Sequence, residues 1–251
     1  MERKGQGVNN AYYDTLEEKW YQACDHPIAL LRAENALRVP WIIEKIRSRV
    51  QQKCKFLDIG CGAGFLCNPM AAVGHEVVGI DLSPSSLNEA QKRDATKKVQ
   101  YVVGAAEELP FPDKSFDVVS ALDLLEHVEN PAKVIAEASR VLRPGGLFFF
   151  HTFNRNFLSW LLVIKAVEWC VPNTPPRNHV YGFFITPDEL QEMCSKNDLN
   201  VAEMLGMRPV FLSQGFWKSI FSRKVASDFL FTFTESLKTG FLGFAVKTNV
   251  F

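Results

Sequence analysis

The stretch from Lys55 to Ser83, KFLDIGCGAGFLCNPMAAVGHEVVGIDLS, decides the fold. A short apolar run, Phe56 to Ile59, leads into Gly60-Cys61-Gly62-Ala63-Gly64, and a second run, Val77 to Ile80, ends at Asp81. Two apolar runs separated by a glycine-rich turn and a helix-length segment read as strand, turn, helix, strand, which brings Asp81 beside the glycines. Glycines in such a turn let a ligand lie against main chain, because no Cβ blocks its approach. The dinucleotide fingerprint G-x-G-x-x-G needs a glycine where Phe65 stands, and a P-loop needs a Gly-Lys-Ser/Thr that does not follow. Asp58, just before the turn, repels an anionic pyrophosphate and attracts a cationic ammonium. S-adenosylmethionine carries such an ammonium and no phosphate. Asp81, 21 residues after Gly60, is placed to accept both ribose hydroxyls, a position that NAD enzymes also fill with an acid. Its alternative role is to cap the helix that follows Leu82-Ser83-Pro84.

The same rhythm continues outward. Short apolar runs recur at Val99 to Val103, Val118 to Leu122 and Leu147 to Phe150, with helical or turn segments between them, as in βαβ units with a parallel sheet. Helices are expected over Tyr12 to Trp20, Ala29 to Arg49, Pro131 to Leu142 and Thr186 to Asn197, and closing strands over Phe229 to Thr234 and Gly240 to Lys247. The expectation is one α/β domain over 1–251. It comprises N-terminal helices (1–50), a cofactor-binding core (55–151), an insertion (152–190) and closing strands (191–251). Lys+Arg and Asp+Glu both total 28, so no overall field draws the chain to nucleic acid. The six cysteines form no CxxC pair, which argues for free thiols in a reducing compartment. Met1 to Asn10 is polar and lacks a signal peptide's apolar run. No stretch reaches the roughly 18 to 20 uncharged residues that span a bilayer.

The glycine motif, the acid at the second strand, the run Glu107-x-Leu109-Pro110-Phe111-x-Asp113-x-x-Phe116-Asp117-Val118-Val119, the Leu125-Glu126-His127-Val128 motif and the Leu142-x-Pro144-Gly145-Gly146 turn come together in one segment. This set resembles a class I S-adenosylmethionine-dependent methyltransferase over about Phe56 to Phe150. The resemblance implies a Rossmann-like, mostly parallel seven-stranded sheet flanked by helices. LEHVENP, HTFNRNFLSWL and NHVYGFFITPDEL follow in the order of the 3-demethylubiquinol O-methyltransferase family, and YYDTLEEKWY and ALLRAENALRVPWI are similar to its opening helices. That likeness runs to about Leu190. It implies a prenylated catechol-type acceptor in ubiquinone biosynthesis and association with other enzymes of that pathway. It also implies a place in the cytoplasm or on the matrix side of an organelle, peripheral on the inner membrane. The implied cofactor contacts are Arg38, Asp58, Gly60, Cys61, Gly62, Asp81, Leu82, Ala106, Glu107 and Leu122, with Ala106-Glu107 flanking adenine.

Asp123, Glu126 and His127 are spaced to share one face of a helix or turn leaving the fourth strand, a donor set for Mg²⁺. The resembling family has Glu where this chain has Asp123. The alternative is that Glu126 and His127 only cap and orient the loop. A phenol titrates at roughly 10, so methyl transfer to it needs a base or a metal, and His127 and His179 are the candidate bases. At His179 the family's following acid is replaced by Val180, and the alternative is a solvent-facing loop histidine. Phe157 to Val171, almost wholly apolar, is expected as an inserted helix that lies in a membrane interface and gates a prenyl tail, or else as a buried core helix. The acceptor need not be a ubiquinone precursor on these residues alone; another lipophilic or phenolic small molecule and a non-catalytic module retaining the fold are the alternatives.

Overall fold

The computed structural model describes residues 8–50 and 53–248. Residues 1–7, most of the polar stretch expected to hold no signal peptide, lie outside the described residues. Eight strands form one sheet: β1 (Lys55–Ile59), β2 (Glu76–Asp81), β3 (Gln100–Val103), β4 (Phe116–Leu122), β5 (Leu142–Phe153), β6 (Leu199–Pro209), β7 (Phe231–Thr234) and β8 (Gly240–Lys247). Their order is β3-β2-β1-β4-β5-β8-β6-β7. The first five pair in parallel and the β5-β8, β8-β6 and β6-β7 contacts are antiparallel. The expected seven strands are therefore corrected to eight. The strand missed is β6, whose residues alternate poorly because it is bulged between Val201 and Glu203 and only partly buried.

Residues of β5 alternate between the two faces. Phe148 and Phe150 join Ile59, Ala121, Val134 and Ile135 on one side, while Leu147 and Phe149 join Phe56, Val118, Ile42 and Ile46 on the other. The helix Ile28–Arg49 covers the second face, and its buried positions Glu34, Arg38, Ile42 and Ile46 recur every four residues. The apolar half of that stripe packs on the sheet. The polar half, Glu34 and Arg38, is carried beyond the strand ends.

The helix expected over Tyr12 to Trp20 is broken. A 3-10 turn spans Asn10–Thr15, Glu17 takes φ +43°, and a short helix spans Lys19–Gln22. The helix at Pro131 is capped by Asn130, which accepts from Lys133 N at 3.1 Å, and that at Pro187 by a reciprocal box between Thr186 and Glu189. The segment Phe157–Cys170 is helical in three consecutive pieces, the middle one, Trp160–Lys165, wound as a π-helix. A further helix, Gln214–Ser222, was not expected. Among the described residues no helix is long and apolar enough to cross a membrane.

Candidate active site

In a doubly wound sheet, ligands gather beyond the carboxyl ends of the strands where the winding direction reverses. Here that place lies between β1 and β4. From it opens a cavity of about 490 Å³, lined from the turn after β1 by Asp58, Gly60, Cys61 and Gly62 and from the end of β2 by Asp81 and Leu82. Ala106 and Glu107 after β3, Leu122 and Asp123 after β4, and Arg38 from the long helix complete the same lining. All ten expected cofactor contacts thus face one space.

The turn is held open by its glycines. Gly60, Gly62 and Gly64 take φ +71°, +49° and +79°, and a Cβ on Gly64 would stand 2.6 Å from Tyr101 Oη. Asp81 Oδ2 accepts from Gly62 N and Oδ1 from Ser83 N, both at 2.9 Å, so the acid ties the turn to the end of β2. The helix cap is Ser83, which accepts from Ser86 N at 3.2 Å; the capping alternative for Asp81 is set aside. Asp58 is buried, which pushes its carboxyl up to about 6 even though Ser120 Oγ donates to it at 2.6 Å. Glu107 Oε1 accepts from Asn130 N at 3.1 Å and so fixes the loop after β3 to the loop after β4.

A second cavity of about 250 Å³ is almost wholly apolar. It is enclosed by Leu162, Val163, Val167, Phe216, Phe229 and Phe231 among others. Tyr13, Leu31, Asp123 and His127 line both cavities, so the two share a wall. His179 and Asn178 line the apolar one. His179 is packed against Phe153, His127 and Phe184 at ring distances of 5.0, 5.4 and 6.0 Å, which replaces the expected alternative of a solvent-facing loop histidine. Burial pushes His127 down to about 4, and burial and then His127 push His179 down to about 3, so both imidazoles are neutral near pH 7.

The structure divides the three expected metal ligands. Residues 123–129 form turns rather than a helix, and Asp123 itself takes φ +52°, so the helical spacing that would align its side chain with Glu126 and His127 is not realised. Two donor sets, each with its ligand atoms within 4.8 Å, form instead: Glu126 with His127 and His179, and Glu34 with Asp123 and His151. Asp123 pairs with the Arg38 guanidinium and with His151 Nδ1. Burial alone would raise its carboxyl, but Arg38 and His151 hold it well below the usual range. Glu126 and Glu34 are each pushed up to about 8, by burial first and by Asp123 second. Glu126 Oε2 accepts from Thr152 Oγ1 at 2.9 Å and its Oε1 has no partner among the described residues.

Sequence reasoning passed over Glu34, Tyr13, Asn10 and His151. A signal existed for His151, a lone polar residue inside the strand run FFFHTF that has to find a partner once buried. None existed for the others, which reach the site from the N-terminal helices.

The comparisons agree with this geometry. A methyltransferase-domain family profile matches residues 57–150. Magnesium protoporphyrin IX methyltransferase from Synechocystis PCC 6803, solved with bound SAH, superposes with a TM-score of 0.60 at 18% identity, covering 98% of this chain and 90% of that one. A possible histamine N-methyltransferase from Thermotoga maritima gives 0.60 at 17%, over 94% and 98%. These establish the fold. In sequence, the ubiquinone biosynthesis O-methyltransferase of Aromatoleum aromaticum is 37% identical over 198 residues, 78% of this chain and 83% of that protein. The protein of the same name from Rickettsia felis is 32% identical over 199 residues, 78% and 81%. Identity of that order, sustained over most of both chains and joined to a methyltransferase fold, means that the chain belongs to the family of the ubiquinone biosynthesis O-methyltransferases, enzymes whose methyl donor is S-adenosylmethionine.

Proposed function

We propose that the chain methylates a ring hydroxyl of a prenylated catechol-type precursor of ubiquinone. The observation that carries this reading is the wall shared by a polar cavity and an apolar one, with His127 in it. Methyl transfer is an in-line displacement, and reactants held on either side of such a wall meet only there.

On the donor side, Asp81 accepts the ribose hydroxyls with the lone pairs left over from its two amide bonds, and Leu82, Ala106 and Glu107 flank the adenine. Gly60, Cys61 and Gly62 offer main chain to the amino acid portion, Asp58 supplies negative charge near its ammonium, and Leu122 packs beneath. Arg38, buried, has an Nη1 with no hydrogen-bond partner among the described residues and takes the carboxylate. On the acceptor side the phenol proton has to leave. His127 Nδ1 lies 3.1 Å from Asn10 Oδ1, which as an oxygen can only accept; the neutral ring therefore carries its proton on Nδ1 and presents Nε2 as the base. His179 packs against that ring and holds its plane.

Glu126, whose buried Oε1 has no partner among the described residues and which clusters with His127 and His179, fits a divalent cation. One oxygen and two nitrogens suit zinc better than Mg²⁺, which prefers oxygens. With such an ion bound, His127 Nε2 would be a ligand and no longer the base, and the ion would acidify a coordinated phenol in its stead.

The apolar cavity takes the head of the prenyl tail. Phe157, Trp169, Leu212 and Phe221, exposed by 70, 63, 96 and 81%, offer a membrane-interface face from which an insoluble tail is drawn, consistent with a peripheral position.

The test is methyl transfer from labelled S-adenosylmethionine to a short-chain demethylubiquinol, with wild type and His127→Gln, before and after EDTA. Label in the ether product, and a rate lower by about 10²- to 10⁴-fold in the variant, are expected. Loss of activity on chelation, restored by zinc, assigns the ion. Intact S-adenosylhomocysteine binding without any transfer to this acceptor removes the assignment.

A further inference from the structure

Buried polar atoms left without partners cost stability, so a cluster that keeps several of them has another reason to exist. Arg38 Nη1 and His151 Nε2 are two such atoms, and one chain of contacts joins the residues that bear them. His151 lies near the carboxyl end of β5, fully buried, opposite Leu122 of β4 and Leu242 of β8. Its carbonyl accepts from Asp123 N at 3.2 Å, and its Nδ1 meets Asp123 Oδ1. Asp123 Oδ2 in turn accepts from Arg38 Nη2, while Arg38 Nε donates to Asn35 Oδ1 at 3.2 Å. The guanidinium is therefore fixed at two of its nitrogens. The third, Nη1, has only the Glu34 carboxylate at 4.0 Å.

Asp123 stands at φ +52°, where a residue with a Cβ is uncommon and has to be held by its surroundings. His151 holds it twice, through main chain and through side chain. An ionised carboxylate only accepts, so the neutral imidazole carries its proton on Nδ1 and leaves Nε2 as a bare acceptor. That atom faces Gly240, where a Cβ would come within 3.1 Å of it. The orphaned Nε2 is thus the consequence of turning Nδ1 toward Asp123.

We infer that His151 is a positioning residue for the methyl donor: by fixing the Asp123 carboxylate it locks the Arg38 guanidinium in the orientation that presents Nη1 to the donor's carboxylate. Asp123 then serves Arg38 and His151 rather than a metal. The inference rests on Arg38 as the carboxylate ligand, and the experiment separates the two.

Two ligands distinguish positioning from general support of the fold. S-adenosylhomocysteine has the carboxylate; 5′-methylthioadenosine has the same nucleoside and no carboxylate. Calorimetric affinities for both are measured on wild type, Arg38→Met, His151→Leu, His151→Gln and His151→Asn. The Asn side chain places an amide nitrogen near the position of Nδ1, whereas Gln places it elsewhere. Expected for Leu and Gln is a loss of about 10- to 100-fold for S-adenosylhomocysteine, one charged hydrogen bond, with 5′-methylthioadenosine unchanged. Asn restores most of the affinity. In turnover the same variants raise KM for S-adenosylmethionine more than they lower kcat. Should His151→Leu fail to fold, the Gln and Asn pair carries the comparison. Equal losses for both ligands make His151 merely structural and overturn the inference. A selective loss in Arg38→Met with none in the His151 variants also overturns it while leaving the Arg38 reading intact. Unchanged binding in Arg38→Met removes the Arg38 reading itself.

Discussion

Replacing Gly64 by alanine separates the steric demand of the glycine turn from its backbone demand, because Gly74 provides a matched control. Both residues have positive φ, +79° and +100°. An L-residue there costs about 1–2 kcal/mol in each case. At Gly74 a new Cβ meets nothing within 4 Å, so backbone strain is the whole effect. At Gly64 the same Cβ meets Tyr101 Oη at 2.6 Å and Ala90 Cβ at 3.0 Å. Tyr101 cannot yield freely, since its hydroxyl donates to Asn68 Oδ1 at 2.7 Å, and Ala90 is fixed on the helix Pro84–Arg93. Overpacking of this kind costs about 1–3 kcal/mol, and the lost hydrogen bond about 1 kcal/mol. Gly64→Ala therefore loses about 2–4 kcal/mol more than Gly74→Ala. In a chain of this size that corresponds to a further drop in Tm of roughly 5–15 °C. Thermal melts of the two apo variants, followed by circular dichroism, decide the matter. Equal melting temperatures would refute the argument that close packing under the turn, and not φ alone, requires glycine.

Asp81→Ala removes the side-chain acceptors of two main-chain amides, Gly62 N and Ser83 N, and the proposed ribose ligand together. S-adenosylhomocysteine affinity should fall by more than about 100-fold, on the scale of two charged hydrogen bonds, and unchanged calorimetry would count against the whole placement of the donor. His26 is a pH probe away from the site: burial, with Lys19 second, pushes it down to about 4, and its Nδ1 accepts from Ile28 N at 3.2 Å. Because the folded value lies below the unfolded one, the unfolded chain takes up the proton first. Stability is therefore intact above about 6.5 and falls as the pH drops toward 4, by up to about 3 kcal/mol. His26→Asn keeps the acceptor without the titration, so its denaturant midpoint should drop less than wild type between pH 7 and 4.5; identical drops would show that His26 is not responsible.

The parallel half of the sheet was legible because β1, β2, β4 and β5 are buried on both faces and read as short apolar runs with turn residues between them. The residues expected to touch the donor line one cavity, and all but Arg38, which lies on the long helix, sit at or just after a strand end within a recognisable motif. β6 was not legible, because its partly exposed residues give neither a run nor a clean alternation. The cluster proposed to hold an ion was half legible. Glu126 and His127 are neighbours in sequence, but His179 joins them from a loop more than fifty residues later, and Asp123 is turned away by a left-handed residue that no pattern of hydrophobicity encodes. The Arg38–Asp123–His151 line combines three distant segments and becomes visible only once β4 and β5 are set in register.

The two cavities draw on different ends of one sheet. The larger is walled by the loops after β1 to β4, and the smaller by the tail of β6, by β7, and by the start of β8, together with the helices that precede them. On the proposed reading, recognition of the molecule to be decorated draws on stretches of chain that the methyl source does not touch, while Tyr13, Leu31, Asp123 and His127 serve both. On that reading, substitutions in the tail of β6, in β7 and at the start of β8 reshape what the enzyme accepts while the nucleoside cradle stays as it is.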